Sequence, residues 1–358
     1  RQMCIRDRAM AAHTVEYPLY QPQNGWAEQE PSDWWRAVRE TVQAVLHKSG
    51  VAAADVAGVG ISGQMHGLVM LDERGEVLHR SILWCDGRTG EECREITETV
   101  GAEKLIAITA NPALAGFTAG KILWVRKHLP EVYKACRHIL LPKDYIRYCL
   151  TGQFATEVSD ASGMNLLDVP RRQWSDEILN KLDIDPALLG RMYESVDVTG
   201  TVTAEAAALT GLAEGTPVVG GAGDNAAAAV GTGTVGAGGC NISLGTSGTI
   251  FISSDKFGVD PNNALHAFAH ADGGYHLMGC MLSAASCNKW FCEDILKNSR
   301  NEMAVAMRFL QSAFGALRPT VSGETDVMGT DGKLLFASPT WLLNTFIQNK
   351  VWINRMYL

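Results

Sequence analysis

Residues 216–254 read TPVVGGAGDNAAAAVGTGTVGAGGCNISLGTSGTIFISS, and this stretch decides the fold. It opens on Pro217, Val218 and Val219, a short apolar run of strand type. Gly220, Gly221, Ala222 and Gly223 then break the strand and place Asp224 and Asn225 at the start of an alanine-rich helix. Beyond Gly231, Thr232 and Gly233 the chain returns as an alternating strand over 241–244. It turns through Gly245, Thr246, Ser247 and Gly248 and leaves as a second strand over 249–252.

Two features of the stretch ask for chemistry. The first is an acid on a glycine loop at a helix start. Glycines let the backbone approach a ligand closely, and the positive helix end keeps a carboxylate ionised and able to accept a proton from a bound hydroxyl. The plain alternative is a helix N-cap, a common duty of Asp. The second is the Gly-Thr-Ser-Gly tip, whose N–H groups and two hydroxyls suit phosphate oxygens. Alone it is an ordinary hairpin turn.

Two other patterns are excluded. Residues 221–226 fit G-x-G-x-x-A after a strand, but Asp224 would face a pyrophosphate with like charge. The ribose-binding acid expected some twenty residues on is also absent. Residues 245–249 fall short of the hydrolase elbow G-x-S-x-G, with Thr249 where the last glycine belongs.

Composition sets the wider limits. A chain of 358 residues has room for two domains with substantial cores. Hydrophobic content of 46% against 20% charged residues is ordinary for a soluble globular protein. A net charge of −8 with no basic stripe argues against a nucleic-acid partner. No apolar run is long enough to span a membrane, and no secretory signal is visible. Nine scattered cysteines without a C-x-x-C pair read as reduced thiols of a cytoplasmic protein.

Along the chain, residues 1–8 (RQMCIRDR) lack an apolar period and read as a translated scar outside the fold. A strand is expected over 16–20. Pro31, Ser32 and Asp33 open a helix with Trp34, Trp35, Val38, Val42 and Val45 at helical spacing. A buried strand over 56–62 delivers Gln64, Met65, His66 and Gly67, and strands over 68–71 and 77–78 flank a turn at 72–75. Residues 82–84 form a further apolar strand. Helices are expected over 103–108, 119–128 and 174–182, a strand over 139–141, and short β structure over 151–168. The glycine-rich step at 211–215 marks the expected domain boundary. Repeated strand–helix alternation gives the α/β class.

Gln64, Met65, His66 and Gly67 stand where a strand ends, the usual place for ligand contact in open α/β sheets. Gln and neutral His both donate to and accept from sugar hydroxyls. A hydrogen-bonded loop histidine is the plain alternative. His266 and His270 suggest a metal pair by spacing, but no Glu follows the first, and strand alternation explains them. No residue is therefore assigned as a metal ligand.

Together these stretches resemble the FGGY carbohydrate kinase family, within the actin-like (ribonuclease H-like) ATPase superfold. The resemblance covers about residues 17–292. It is carried by 29–35, by QMHG at 64–67, by 82–88, by GFTAGKILW at 116–124 and by LPKDY at 141–145. SDASG at 159–163, GAGDNA at 221–226, LGTSG at 244–248 and residues 283–290 complete it.

The resemblance implies two α/β domains, both incomplete here, with the active site in the cleft between them. An N-terminal domain would cover 9–212, the start of a C-terminal domain 213–297, and a divergent tail 298–358. It implies ATP-dependent phosphorylation of a sugar, with D-xylulose, giving D-xylulose 5-phosphate, favoured by the QMHG loop. Ribulose, gluconate or glycerol are the alternatives within the family, and a non-catalytic sugar-binding remnant is the alternative outside it. Asp224 matches the family's general base. Gln64, Met65, His66, Asp224 and Asn225 match substrate contacts, and Gly245, Thr246 and Ser247 match the hairpin that touches ATP phosphates. ATP and Mg²⁺ are the implied cofactors, and a homodimer is left open.

The departures are at both ends. Family members begin with a hairpin carrying Asp-x-Gly-Thr, whose acid helps hold Mg²⁺, and nothing like it precedes Tyr17. After about Lys297 neither the Pro-Tyr-Leu-x-Gly-Glu-Arg segment nor the adenosine loop is found. Residues 304–317 have amphipathic helical spacing, and 327–358 carry no motif. The expectation is a fragment of a sugar kinase, inactive as it stands.

Overall fold

Leu68, Val69, Met70 and Leu71 are all buried, and their neighbours explain why. Successive strand residues point to opposite faces. Leu68 and Met70 therefore enter one apolar cluster, with Ile82, Ile122, Leu123, Ile139 and Ile178. Val69 and Leu71 enter another, with Trp34, Leu83, Leu140, Ile146 and Val218. The strand Val69–Leu71 pairs antiparallel with His138–Leu140, which divides its side chains between the same two clusters. Strands covered on both faces read as continuous apolar runs. The computed structural model describes residues 9–244, 248–281 and 352–353. The features expected at 1–8, 245–247, 283–290 and 304–317 lie outside the described residues.

The helix Pro31–Ser49 forms as expected. Proline occupies its first turn, Gly50 ends it in the left-handed conformation (φ 68°), and Trp34 and Ala37 are buried. The helices Ala102–Thr109, Thr118–His128 and Asp176–Leu182 also match, the last capped by Ser175 Oγ accepting from Ile178 N–H. Expected β structure over 151–168 is only partly present. After the strand Ala155–Glu157 the chain turns helical at Val158–Ala161, because the Glu157 carboxylate accepts from the N–H groups of Ser159 and Asp160. A buried acid acting as N-cap overrides strand propensity there. Over 16–20 there is one bridge, between Tyr20 and Glu28, rather than a strand.

Two compact units are present, Arg1–Ala237 with Ser253–Leu277, and Gly238–Ile252 with Met278–Leu358. The expected boundary at 211–215 falls inside the first unit. Residues on both sides of it are tied into the same sheet edge: the strand Val198–Thr201 pairs antiparallel with Pro217–Val219, and Gly215 N–H donates to Val202 C=O. In the second unit Cys240–Leu244 pairs antiparallel with Gly248–Ser254, with Ser243 opposite Thr249 and Leu244 opposite Gly248.

The first unit also contains the pairing that places the site. The chain over 59–63 runs parallel to 217–223. Val59 N–H donates to Pro217 C=O and its carbonyl accepts from Val219 N–H, Ala222 N–H donates to Ile61 C=O, and Ser62 and Gly63 lie opposite Ala222 and Gly223. Gly221 makes the approach possible. Its φ is 73°, and a Cβ there would run into the Ile61 carbonyl. Gly221→Ala should therefore cost about 2 kcal/mol or more, from left-handed strain plus the clash. Urea denaturation of the full chain measures it, as a lowered midpoint at unchanged slope. An unchanged midpoint would mean the two segments do not approach this closely.

Candidate functional site

Parallel strands end on the same side, so the pairing of Ser62–Gly63 with Ala222–Gly223 delivers two loops together. One carries Gln64, Met65 and His66, and the other Asp224 and Asn225. They are in close contact, since a Cβ on Gly223 would lie 2.8 Å from Met65 Cγ. Met65 is buried, wedged between Gly223 and Gly163. Gln64 Nε2 donates to Gln29 Oε1 at 2.8 Å, and the same oxygen accepts from Trp34 Nε1 at 3.1 Å.

Asp224 opens the helix Asp224–Gly231, with Gly223 as its N-cap. Its Oδ1 accepts from Asn225 N–H at 2.9 Å and Asn225 Nδ2 at 3.2 Å. A capping carboxylate reaches the N–H two or three residues on, so these are not capping bonds. Solvent reaches the side chain. Desolvation by the surrounding protein nevertheless raises its pKa above the ordinary carboxylate value, against the pull of the Asn225 N–H. A carboxylate with a raised pKa takes up a proton more readily than a free one, which suits a proton acceptor.

His66 is half-buried and adopts the left-handed conformation, φ 68°, unusual for a residue with a Cβ. Its ring stacks on Phe117, centroids 4.5 Å apart at 19°. The Gly163 carbonyl lies 2.9 Å from its Nδ1. A carbonyl only accepts, which assigns the proton to Nδ1 and leaves Nε2 an acceptor. Burial, then the Lys121 ammonium, pushes the His66 pKa down to about 3, so the ring is neutral. Gly163 must be glycine, because a Cβ there would occupy the imidazole. Phe268 and His266 join the aromatic group around Phe117, and His266 Nδ1 meets Asn111 Oδ1 at 3.1 Å.

Beneath the Asp224 loop lies a buried charged network. Lys143, Asp144, Arg147, Glu157 and Asp160 are all within 1% of full burial. Arg147 Nη1 donates to Gly220 C=O at 2.7 Å, and Arg147 Nη2 and Lys143 Nζ both reach Asp144 Oδ1. Ser159 Oγ donates to Glu157 at 2.9 Å and accepts from Gly223 N–H at 3.2 Å. The loop that presents Asp224 is thus fixed at Gly220 and Gly223. Burial opposes the Lys143 charge, but Asp144 and Glu157 outweigh it and raise its pKa. Asp160 takes the opposite course: burial, with Asp144, Glu157 and Asp224 nearby, holds it well above the carboxylate range. A dry cluster tolerates its charges only where they are paired and hydrogen-bonded, as Lys143 and Arg147 are to Asp144.

Of the expected site residues, Gln64, Met65, His66, Asp224 and Asn225 are brought together in the first unit. Gly245, Thr246 and Ser247 lie outside the described residues. His266 and His270 do not form a metal pair. His266 bonds Asn111, His270 Nε2 bonds Thr234 C=O, and no group of three ligating side chains occurs among the described residues. GFTAGKILW, LPKDY and SDASG have no individual role that the sequence alone assigns. They supply Phe117, Lys143 and Gly163, whose burial no local pattern in the sequence marks.

Comparison with known proteins identifies the family and the fold. Residues 6–231 match the N-terminal domain of the FGGY family of carbohydrate kinases. The chain belongs to that family. The xylulose kinase of Escherichia coli K12 is 43% identical over 282 residues, 78% of this chain and 57% of that protein. The crystal structure of xylulose kinase from Rhodospirillum rubrum superposes with a TM-score of 0.77 at 30% identity, covering 83% of this chain and 60% of that one. Gluconate kinase from Lactobacillus acidophilus gives a TM-score of 0.74 at 25% identity, covering 80% and 57%. The fold is the actin-like ATPase fold of these kinases, and the chain spans less than two thirds of their length.

The neutral histidines carry a pH consequence. Burial lowers the pKa of His66, His266, His270 and His276, with charge repulsion from neighbours also acting on His66 and His276. At these four positions the unfolded chain binds more protons than the folded one below pH 6.5, so their contribution to stability falls as pH falls from there toward the folded values, with the raised carboxyls of Asp160 and Asp224 acting in the opposite sense. Urea midpoints at pH 7, 6, 5 and 4 should decrease in that order, and less steeply in His66→Ala. A flat series would mean these rings are protonated in the folded protein.

Proposed function

We propose that this chain is part of a kinase that transfers the γ-phosphoryl group of ATP to D-xylulose. One observation carries the proposal: the pairing of Ser62–Gly63 with Ala222–Gly223 sets a neutral imidazole beside an exposed, basic carboxylate. His66 Nε2 and Asn225 would hold the sugar hydroxyls, and Asp224 would accept the proton of the primary hydroxyl as it attacks phosphorus. Phosphoryl transfer asks a protein mainly for positioning and charge neutralisation, and a fixed acceptor carboxylate serves the first. Gly245, Thr246 and Ser247 are assigned to the ATP phosphates through the family's hairpin. No group of three metal-ligating side chains occurs among the described residues, and no step here runs through Mg²⁺. Cys85, Cys93, Cys136, Cys149 and Cys240 are free thiols, which suits a reducing, cytoplasmic setting.

Xylulose is preferred over gluconate because the more similar relatives act on xylulose by name. A hybrid tests both points, with residues 9–231 of this chain replacing the matching segment of the Escherichia coli xylulose kinase. Coupled ADP release should favour D-xylulose over D-gluconate, D-ribulose and glycerol. Asp224→Asn should leave the xylulose KM within about threefold and lower kcat by ~10²–10⁴. Retention of more than a tenth of kcat would reduce Asp224 to a structural residue.

A further inference from the structure

Lys121 is 0% exposed, yet both of its hydrogen bonds end on backbone carbonyls rather than carboxylates. Nζ donates to His66 C=O at 2.7 Å and to Gly116 C=O at 2.7 Å. Thr118 Oγ1 donates to the same His66 carbonyl at 3.1 Å. Burying an ammonium without an anion partner is costly, so the bonds it makes there need a reason. The strained backbone of His66, with φ of 68°, supplies one. A His carbonyl that accepts two buried donors is held in one orientation, and the conformation that aims the ring is held with it.

We infer that Lys121, with Thr118, is a positioning residue that fixes His66 in its left-handed conformation so that the imidazole meets the sugar. This rests on His66 as a sugar contact. The grip comes from one helix start and acts on both ends of the residue: Phe117 stacks on the ring while Thr118 and Lys121 hold the carbonyl. Burial lowers the Lys121 pKa to about 7, against the raising influence of Asp86. A neutral amine still carries two N–H donors, one for each carbonyl, so the grip survives loss of the charge. Gly116 lies close to the Trp84 carbonyl (2.8 Å from a Cβ placed on it), so Lys121 also ties His66 to a second fixed loop.

The test is a double-mutant cycle on the full chain, with calorimetric titration of D-xylulose as the probe and NMR of labelled histidine as a second readout. Lys121→Met and His66→Ala should each weaken xylulose binding about tenfold or more, the scale of losing a hydrogen bond to a charged or buried group. The double variant should bind no more weakly than His66→Ala alone, because Lys121 acts through His66. Without sugar, the His66 ring protons, shielded by Phe117, should move downfield in Lys121→Met. Additive losses, or an unmoved His66 signal, would overturn the inference. If His66→Ala binds xylulose like the parent, the sugar contact itself fails. The ring signal then decides Lys121 alone: a shift sustains the positioning role and no shift ends it. If Lys121→Met does not fold, Thr118→Val takes its place. It should weaken binding about threefold and shift the same signal, and an unmoved signal would again overturn the inference.

Discussion

Everything at the site depends on two short stretches of chain lying parallel at close range. The contact between residues 59–63 and 217–223 joins segments more than 150 positions apart. It is possible only because Gly221 and Gly223 carry no side chains where Ile61 and Met65 approach. Parallel strands share a direction, so whatever follows each of them appears at the same edge. That is how a sugar-type loop and an acid become one site.

The ground under that edge is electrostatic. Glycine loops are entropically expensive to order, and four residues of Gly-Gly-Ala-Gly have no side chains with which to anchor themselves. The anchors come from below, as Arg147 on Gly220 and Ser159 on Gly223. Removing one partner from such a buried cluster would strand its opposite charge, so the network is rigid by necessity. The rigidity is useful above it, because a proton acceptor misplaced by an ångström loses much of its effect.

The pKa shifts in this region share one physical reason, burial. It holds His66 neutral, and it raises the pKa of Asp160 and of Asp224. Burial disfavours every charge it is not compensated for. The edge beside His66 and Asp224 thereby combines a neutral imidazole with a carboxylate of raised pKa.

The sequence alone determined what is local. Helical spacing, prolines and terminal glycines marked Pro31–Ser49 and Thr118–His128, and apolar runs marked Val69–Leu71 and His138–Leu140. Glycine, Asp and a helix start within a few positions made Asp224 legible as chemistry, and a strand end did the same for His66. What only the tertiary structure decided is every relation between distant positions. The step at 211–215 looked like a boundary because glycines punctuate it, but strand pairing on both sides keeps it inside one unit. Val158–Ala161 left the strand pattern because a buried Glu157 captured two N–H groups, a competition that local propensity does not contain. Lys121, Lys143 and Gly163 carried no visible role, since a lysine in a sequence gives no sign that it is buried. Their duties lie in contacts with His66, Asp144 and the imidazole ring. Periodicity records which way a side chain points, whereas a site is made where chain segments meet, and that meeting is fixed by packing.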